Sequence, residues 1–340
     1  MIHQNIEFHN AAALEPIAGL AGLCPVRFPR PVRDALEPRG RVVSLSSTGI
    51  ELRFVTPAPD LRVTLQAHMA PATVRVYCGG HGHSDHVIAA GAATVLHLNA
   101  PPLFREVPRD ILHAAPFSPG VWRIILDGQP INFLGVETFG HAIRPPLPPE
   151  KPNLRWLAHG SSITHSSVHG YPHRAAWKLG VDVLNKGMSG SCHCETAMAT
   201  HLATGEEWDF ATLELGINMR GGFEPAEFEK RARHLVSALR ATKPRAPIIL
   251  ITHFLNKEHH PAAEPTEAVR RQNAFDATLR AIAAENKDEG IHLVEGCTVL
   301  TDLTGLCVDL IHPSDLGHAQ MGDNLARALE PIIAPLRSRG

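Results

Sequence analysis

Short runs with apolar and polar residues in alternation fill the first 140 residues, as at 61–65 and 73–77. A period of two puts one face of a strand inward and the other toward water. Further β-rich runs lie at 41–45, 50–55, 94–98, 121–126 and 133–138, separated by Gly, Pro, Asp and Asn clusters. No long helical stripe interrupts them after about residue 40, and strands at this spacing predict a β-sandwich or jelly roll. The segment 144–153 then places five prolines in ten residues. Such a stretch is a stiff spacer that joins neither a helix nor a central strand. It divides the chain into an N-terminal β-sandwich domain (1–143), a Pro-rich linker (144–153) and a second domain (154–340).

Beyond the linker the pattern changes. Apolar runs at 154–158, 181–185, 211–215, 247–253 and 291–295 predict five strands. Stretches of helical period at 171–180, 195–203, 224–242, 266–286 and 314–336 predict the helices between and after them. Regular alternation of strand and helix implies a parallel sheet covered on both faces. Binding and catalytic groups in such sheets gather beyond the carboxyl ends of the strands.

The residues after those strands carry chemistry. His159-Gly160-Ser161-Ser162 follows the first strand, with a glycine that permits a tight turn and then two hydroxyls. Asn185-Lys-Gly-Met-Ser-Gly190 follows the second, and its glycines let backbone N–H groups approach a ligand. Glu214-Leu-Gly-Ile-Asn218 follows the third. Asp309-Leu-Ile-His312 precedes the last helix, with a carboxylate and an imidazole three residues apart. Such a pair can fix the imidazole tautomer and leave its other nitrogen as a base. That base needs a nucleophile, and Ser162 is the candidate, with Ser161 as its rival.

Taken in order, Gly-x-Ser, Asn-x-Gly-x-Ser-Gly, Gly-x-Asn and Asp-x-x-His resemble the SGNH (GDSL-type) hydrolase family over 154–336. The resemblance implies an α/β, flavodoxin-like three-layer domain and acyl transfer by a triad. In it Ser162 is the nucleophile, His312 the base and then the acid, and Asp309 the orienter of the imidazole. By the same carry-over the oxyanion hole consists of the backbone N–H groups of Ser162 and Gly190 and the side chain of Asn218. Position 161 is Ser where the family often has Asp, and Met219 follows Asn218 where Asp is common. Two-domain members with a β-sandwich before the catalytic domain include carbohydrate esterases and some acyltransferases. The expected function is therefore a serine esterase acting on short acyl groups of a carbohydrate or other polar small molecule. An acyltransferase with the same residues is the alternative, and an inactive carbohydrate-binding protein a third.

Composition narrows the partners. Residues AVILMFWYC make 44% of the 340-residue chain and DEKR 19%, enough apolar material for a core. A formal net charge of −2 supplies no electrostatic footprint for nucleic acid. No apolar run approaches a membrane span, and the N-terminus lacks a basic region followed by an apolar one, so a cytoplasmic location is expected. The six cysteines are scattered rather than framed for disulfides. No phosphate loop, dinucleotide fingerprint or Gly-x-Ser-x-Gly elbow is present, and neither cofactor nor metal is expected. His81-Gly-His-Ser-Asp-His86, read as a flexible turn, and Cys192-His-Cys194 contain ligand-type side chains without the spacing of structural zinc sites. Beside the motif loops, His165, Cys192, Met219 and His253 are the candidates for substrate contact, with His169 and Glu214 nearby.

Overall fold

The computed structural model describes residues 1–337. The chain forms two compact units, one of Met1–Arg30 with Ser44–Asn153 and the other of Pro31–Val43 with Leu154–Gly340.

The first unit is built from a two-stranded antiparallel sheet, Ala13–Glu15 with Cys24–Val26, and two larger antiparallel sheets. One runs Ile2–His3, Ile6–His9, Ile50–Val55, Val121–Asp127, Ala72–Cys78, His81–Ile88 in spatial order; the other runs Ile131–Glu137, Asp60–Ala67, Ala93–Asn99. Alternate residues of both, among them Leu52, Phe54, Val74, Val76, Leu61, Val63 and Leu65, share one core. That is the predicted sandwich.

Three sequence expectations change here. Residues 41–45 do not form a strand. Pro38–Val43 is a short helix, which Pro38 opens with a backbone angle already suited to it. Residues 81–86 are not a free turn but belong to an edge strand, where the pairing slips between Val76–Ser84 and Tyr77–Gly82. Gly82 thus marks a bulge. The Pro-rich segment packs on the first unit: Arg144 exchanges backbone hydrogen bonds with Val55 (2.8 and 3.1 Å) and grips Glu150 with both terminal nitrogens (2.7 Å each).

In the second unit, strands β1 (Arg155–His159), β2 (Asp182–Asn185), β3 (Phe210–Glu214), β4 (Ile248–Ile251) and β5 (Ile291–Val294) make a wholly parallel sheet in the order 2-1-3-4-5. This is the flavodoxin-like order. Helices α1 (Tyr171–Leu179), α2 (Thr196–Thr204), α3 (Pro225–Thr242), α4 (Glu267–Glu285) and α5 (Asp315–Arg337) alternate with and follow the strands. Trp156 and Ala158 of β1 share a core with Tyr171, Ala175, Leu325 and Leu329 of α1 and α5. Leu157, Ala211, Leu213 and Leu250 are buried as well, so both faces of the sheet are covered. All five predicted strands and all five helices of this half are present. Among the described residues no helix is long and apolar enough to cross a membrane.

The 31–43 stretch belongs to this second unit although its neighbours on both sides belong to the first. Glu37 N donates to Glu195 Oε1 at 2.9 Å and Arg39 Nε to Ser189 O at 3.4 Å. The sequence reading assigned it to the N-terminal domain, because contacts with residues 150 positions away leave no local mark.

Candidate active site

The turn after β1 is organised by a buried carboxylate. Glu214, the last residue of β3, accepts from Ser161 N at 2.7 Å and from Thr164 Oγ1 at 3.0 Å. Thr164 Oγ1 also bonds Tyr171 Oη at 2.7 Å, which ties the start of α1 to the same point. Burial raises the Glu214 carboxyl above its usual range, against these donors, and pushes the Tyr171 phenol well up. Residue 160 has to be glycine, since a Cβ there would lie 2.6 Å from Glu214 Oε2 and 2.3 Å from Thr164 Oγ1.

This arrangement separates the two serines. Ser161 is buried, and its Oγ accepts from Ile163 N at 3.2 Å. Ser162 is only half-buried, and its Oγ lies 2.7 Å from His312 Nε2. His312 Nδ1 stands 2.6 Å from Asp309 Oδ2, while Asp309 Oδ1 accepts from the backbone N–H of Ile311 and His312 at 3.0 Å each. With Nδ1–H donated to the carboxylate, Nε2 is an acceptor for the Ser162 hydroxyl. The hydrogen bond from His312, with the backbone donors, holds the Asp309 carboxyl down at about 2. Whatever this depressed pKa contributes to stability is present above the ordinary value near 3.8 and is lost as pH falls through about 2. Asp309 therefore stays ionised throughout the neutral range. The side chains of His312 and Asp309 are each 46% exposed, so water reaches the pair.

Two loops close on the turn. Asn185 Nδ2 donates to the carbonyls of Thr164 (2.8 Å) and Ser166 (3.1 Å), and Gly187 passes close enough to His165 that a Cβ would lie 2.3 Å from its backbone nitrogen. Gly190 has φ of 65°, a conformation in which glycine is least strained. Asn218 Oδ1 accepts from Cys192 N at 3.1 Å, which fixes the orientation of the amide. Gly216, at φ 110°, clears the ring of His253.

The expected substrate contacts fare differently. Cys192, Met219 and His253 are 2%, 0% and 2% exposed and offer a substrate no surface. Cys192 Sγ rests 3.5 Å from His159 Nε2. His253 Nδ1 bonds Asp276 Oδ1 at 2.7 Å beneath the Gly216 turn. Adjacency to a motif in sequence does not separate an outward side chain from one that packs inward. His165 is half-buried, with Nδ1 3.0 Å from Ser189 Oγ, and His169 is exposed. Nothing local in the sequence singles out Arg39, Thr164 and Tyr171, because their contacts at the site are with residues distant in the chain.

The sequence profile of the GDSL-like Lipase/Acylhydrolase family matches residues 158–320. A search of curated proteins returns no match. Among solved structures, a salicylyl-acyltransferase, SsfX3, from a tetracycline biosynthetic pathway superposes with a TM-score of 0.78 at 18% identity, over 97% of this chain and 95% of that one. A putative GDSL-like lipase from Bacteroides ovatus gives 0.70 at 19% identity, over 97% and 96%. A family two carbohydrate esterase from Cellvibrio japonicus gives 0.64 at 13% identity, over 98% and 97%. At these identities the likeness is one of fold. Together with the four motif blocks, set in order around the ends of a 2-1-3-4-5 sheet, the profile match marks residues 158–320 as a GDSL-like lipase/acylhydrolase domain, of the SGNH type.

Proposed function

We propose that the protein is a serine esterase that forms an acyl-enzyme on Ser162. The observation that carries this reading is the continuous hydrogen-bonded chain from Ser162 Oγ through the His312 ring to Asp309, at 2.7 and 2.6 Å. His312 Nε2 takes the hydroxyl proton as Ser162 Oγ attacks the ester carbonyl. The negative charge that develops on the carbonyl oxygen meets the N–H groups of Ser162 and Gly190 and the Nδ2 of Asn218. Asp309 stabilises the imidazolium formed in that step without taking its proton. The imidazolium protonates the departing alcohol, the C–O bond breaks, and the acyl group remains on Ser162. A water, deprotonated by the same His312, then releases the carboxylic acid and restores the serine.

Replacing that water with an alcohol acceptor gives an acyltransferase with the same groups. The likeness to a salicylyl-acyltransferase supports that second reading, and the exposure of His312 and Asp309 favours water. The likeness to carbohydrate esterases supports a sugar or similar polar alcohol as the esterified partner, with a short acyl group. A complete set of catalytic blocks counts against the third reading, an inactive carbohydrate-binding protein.

Treatment with a fluorophosphonate is expected to add one label to the wild type and to Ser161→Ala, and none to Ser162→Ala. Intact mass reads the label, and nitrophenyl acetate turnover is expected to disappear with it. A label retained in Ser162→Ala would contradict the assignment. Asn218→Ala removes one of three oxyanion donors, so kcat is expected to fall by roughly 10²–10³ with a much smaller change in KM; steady-state kinetics on the same ester checks this. Glu214→Ala orphans the buried Ser161 N–H and is expected to cost about 1–3 kcal/mol of stability and to lower kcat. Glu214→Gln keeps an acceptor and should retain more of both in denaturant titrations and turnover.

A further inference from the structure

We infer that Arg39 is a specificity-determining residue that selects esters carrying an anionic group near the scissile carbonyl. The inference rests on the esterase reading above and names the substrate class for that site. Arg39 lies on the Pro38–Val43 helix, in the stretch that packs with the second unit although it falls within the N-terminal half of the sequence. Glu37 N anchors the stretch on Glu195 Oε1 at 2.9 Å. Arg39 Nε reaches Ser189 O at 3.4 Å, and a Cβ built on Gly190 would fall 2.5 Å from both Nε and Nη2. A guanidinium is therefore laid directly against the glycine whose N–H is assigned to the oxyanion.

Its charge is uncompensated. Among the described residues no carboxylate pairs with Arg39, whereas nearby Arg231 is held by Glu227 at 2.7 Å. Glu195 Oε1 accepts from Glu37 N, and the carboxylates of Glu37 and Glu195 gather with His193, one ligand-type atom of each lying within 4.8 Å of the others. A planar fork of donors with one nitrogen directed to a carbonyl and the rest open is suited to a carboxylate or similar oxyanion. Placed beside Gly190, it would meet such a group on either side of the ester, within a few bonds of the carbonyl carbon. It does not take part in the proton transfers, which run through Ser162, His312 and Asp309.

The test compares three nitrophenyl or acetyl esters: neutral nitrophenyl butyrate, nitrophenyl hemiglutarate with the anion on the acyl side, and 4-acetoxybenzoate with the anion on the leaving group. In Arg39→Gln the kcat/KM ratio of at least one anionic ester to the neutral ester is expected to fall about tenfold or more, the loss of one charge-assisted hydrogen bond. Arg39→Lys should restore part of it, and added salt should lower the wild-type ratio but not that of Arg39→Gln. Which anionic ester responds tells which side of the bond faces Arg39. Ratios within twofold of wild type for both anionic esters would overturn the inference. Binding without turnover gives a second reading: monoethyl glutarate, 4-acetoxybenzoate and ethyl butyrate are titrated by NMR into Ser162→Ala with and without Arg39→Gln. A tenfold weakening confined to at least one of the two anionic ligands supports the role even if the esterase reading fails, and unchanged affinities for both anionic ligands refute it. Fluorophosphonate labelling of Arg39→Gln at Ser162 reports separately that the nucleophile is intact.

Discussion

One buried carboxylate governs the geometry of this site. Glu214 stands at the end of the third strand and receives the backbone N–H of Ser161 and the hydroxyl of Thr164 from the turn after the first. Two neighbouring parallel strands are thereby locked to each other at the point where their chains leave the sheet. The lock turns Ser161 inward and the next side chain outward, and it leaves room only for glycine at 160. Ser162 owes its access to solvent to a residue more than fifty positions away. The loop after β2 is set against this turn through Asn185, and the loop after β3 is joined to that loop by Asn218 accepting from Cys192 N.

The catalytic half was legible because its signals are local. Apolar runs of four or five residues and amphipathic stretches bounded by Gly180, Thr266 and similar caps report strands and helices directly. The Asp309 to His312 turn is equally local, since its carboxylate bonds backbone nitrogens two and three residues ahead. What the sequence left open depends on distance. Two adjacent hydroxyls cannot be ranked without Glu214, and the burial of Cys192, Met219 and His253 depends on which way each loop turns. The 41–45 run is β-rich in composition, yet Pro38 and the packing of 31–43 in the second unit make it helical up to Val43. At 81–88 the glycine that suggested a turn is absorbed as a bulge within a strand.

Charge placement divides the labour in the site. Asp309 is kept ionised by donors of its own turn, so its hold on the His312 tautomer does not lapse in the neutral range. Glu214 is raised by burial and acts as a tether rather than as a proton carrier. The loop after β2 carries no side-chain charge at Gly190 itself, and the guanidinium beside it comes from a remote stretch of chain. In the proposed mechanism, hydrolysis and acyl transfer would use the same donors and the same base, and what would separate them is whether water or an alcohol reaches the acyl-enzyme.

The most direct test is a crystal structure of the fluorophosphonate-treated protein. The account predicts phosphorus bonded to Ser162 Oγ, with the phosphonyl oxygen within hydrogen-bonding distance of Ser162 N, Gly190 N and Asn218 Nδ2 and with His312 still paired to Asp309. Phosphorus on another residue, or a phosphonyl oxygen turned away from those three donors, would contradict it.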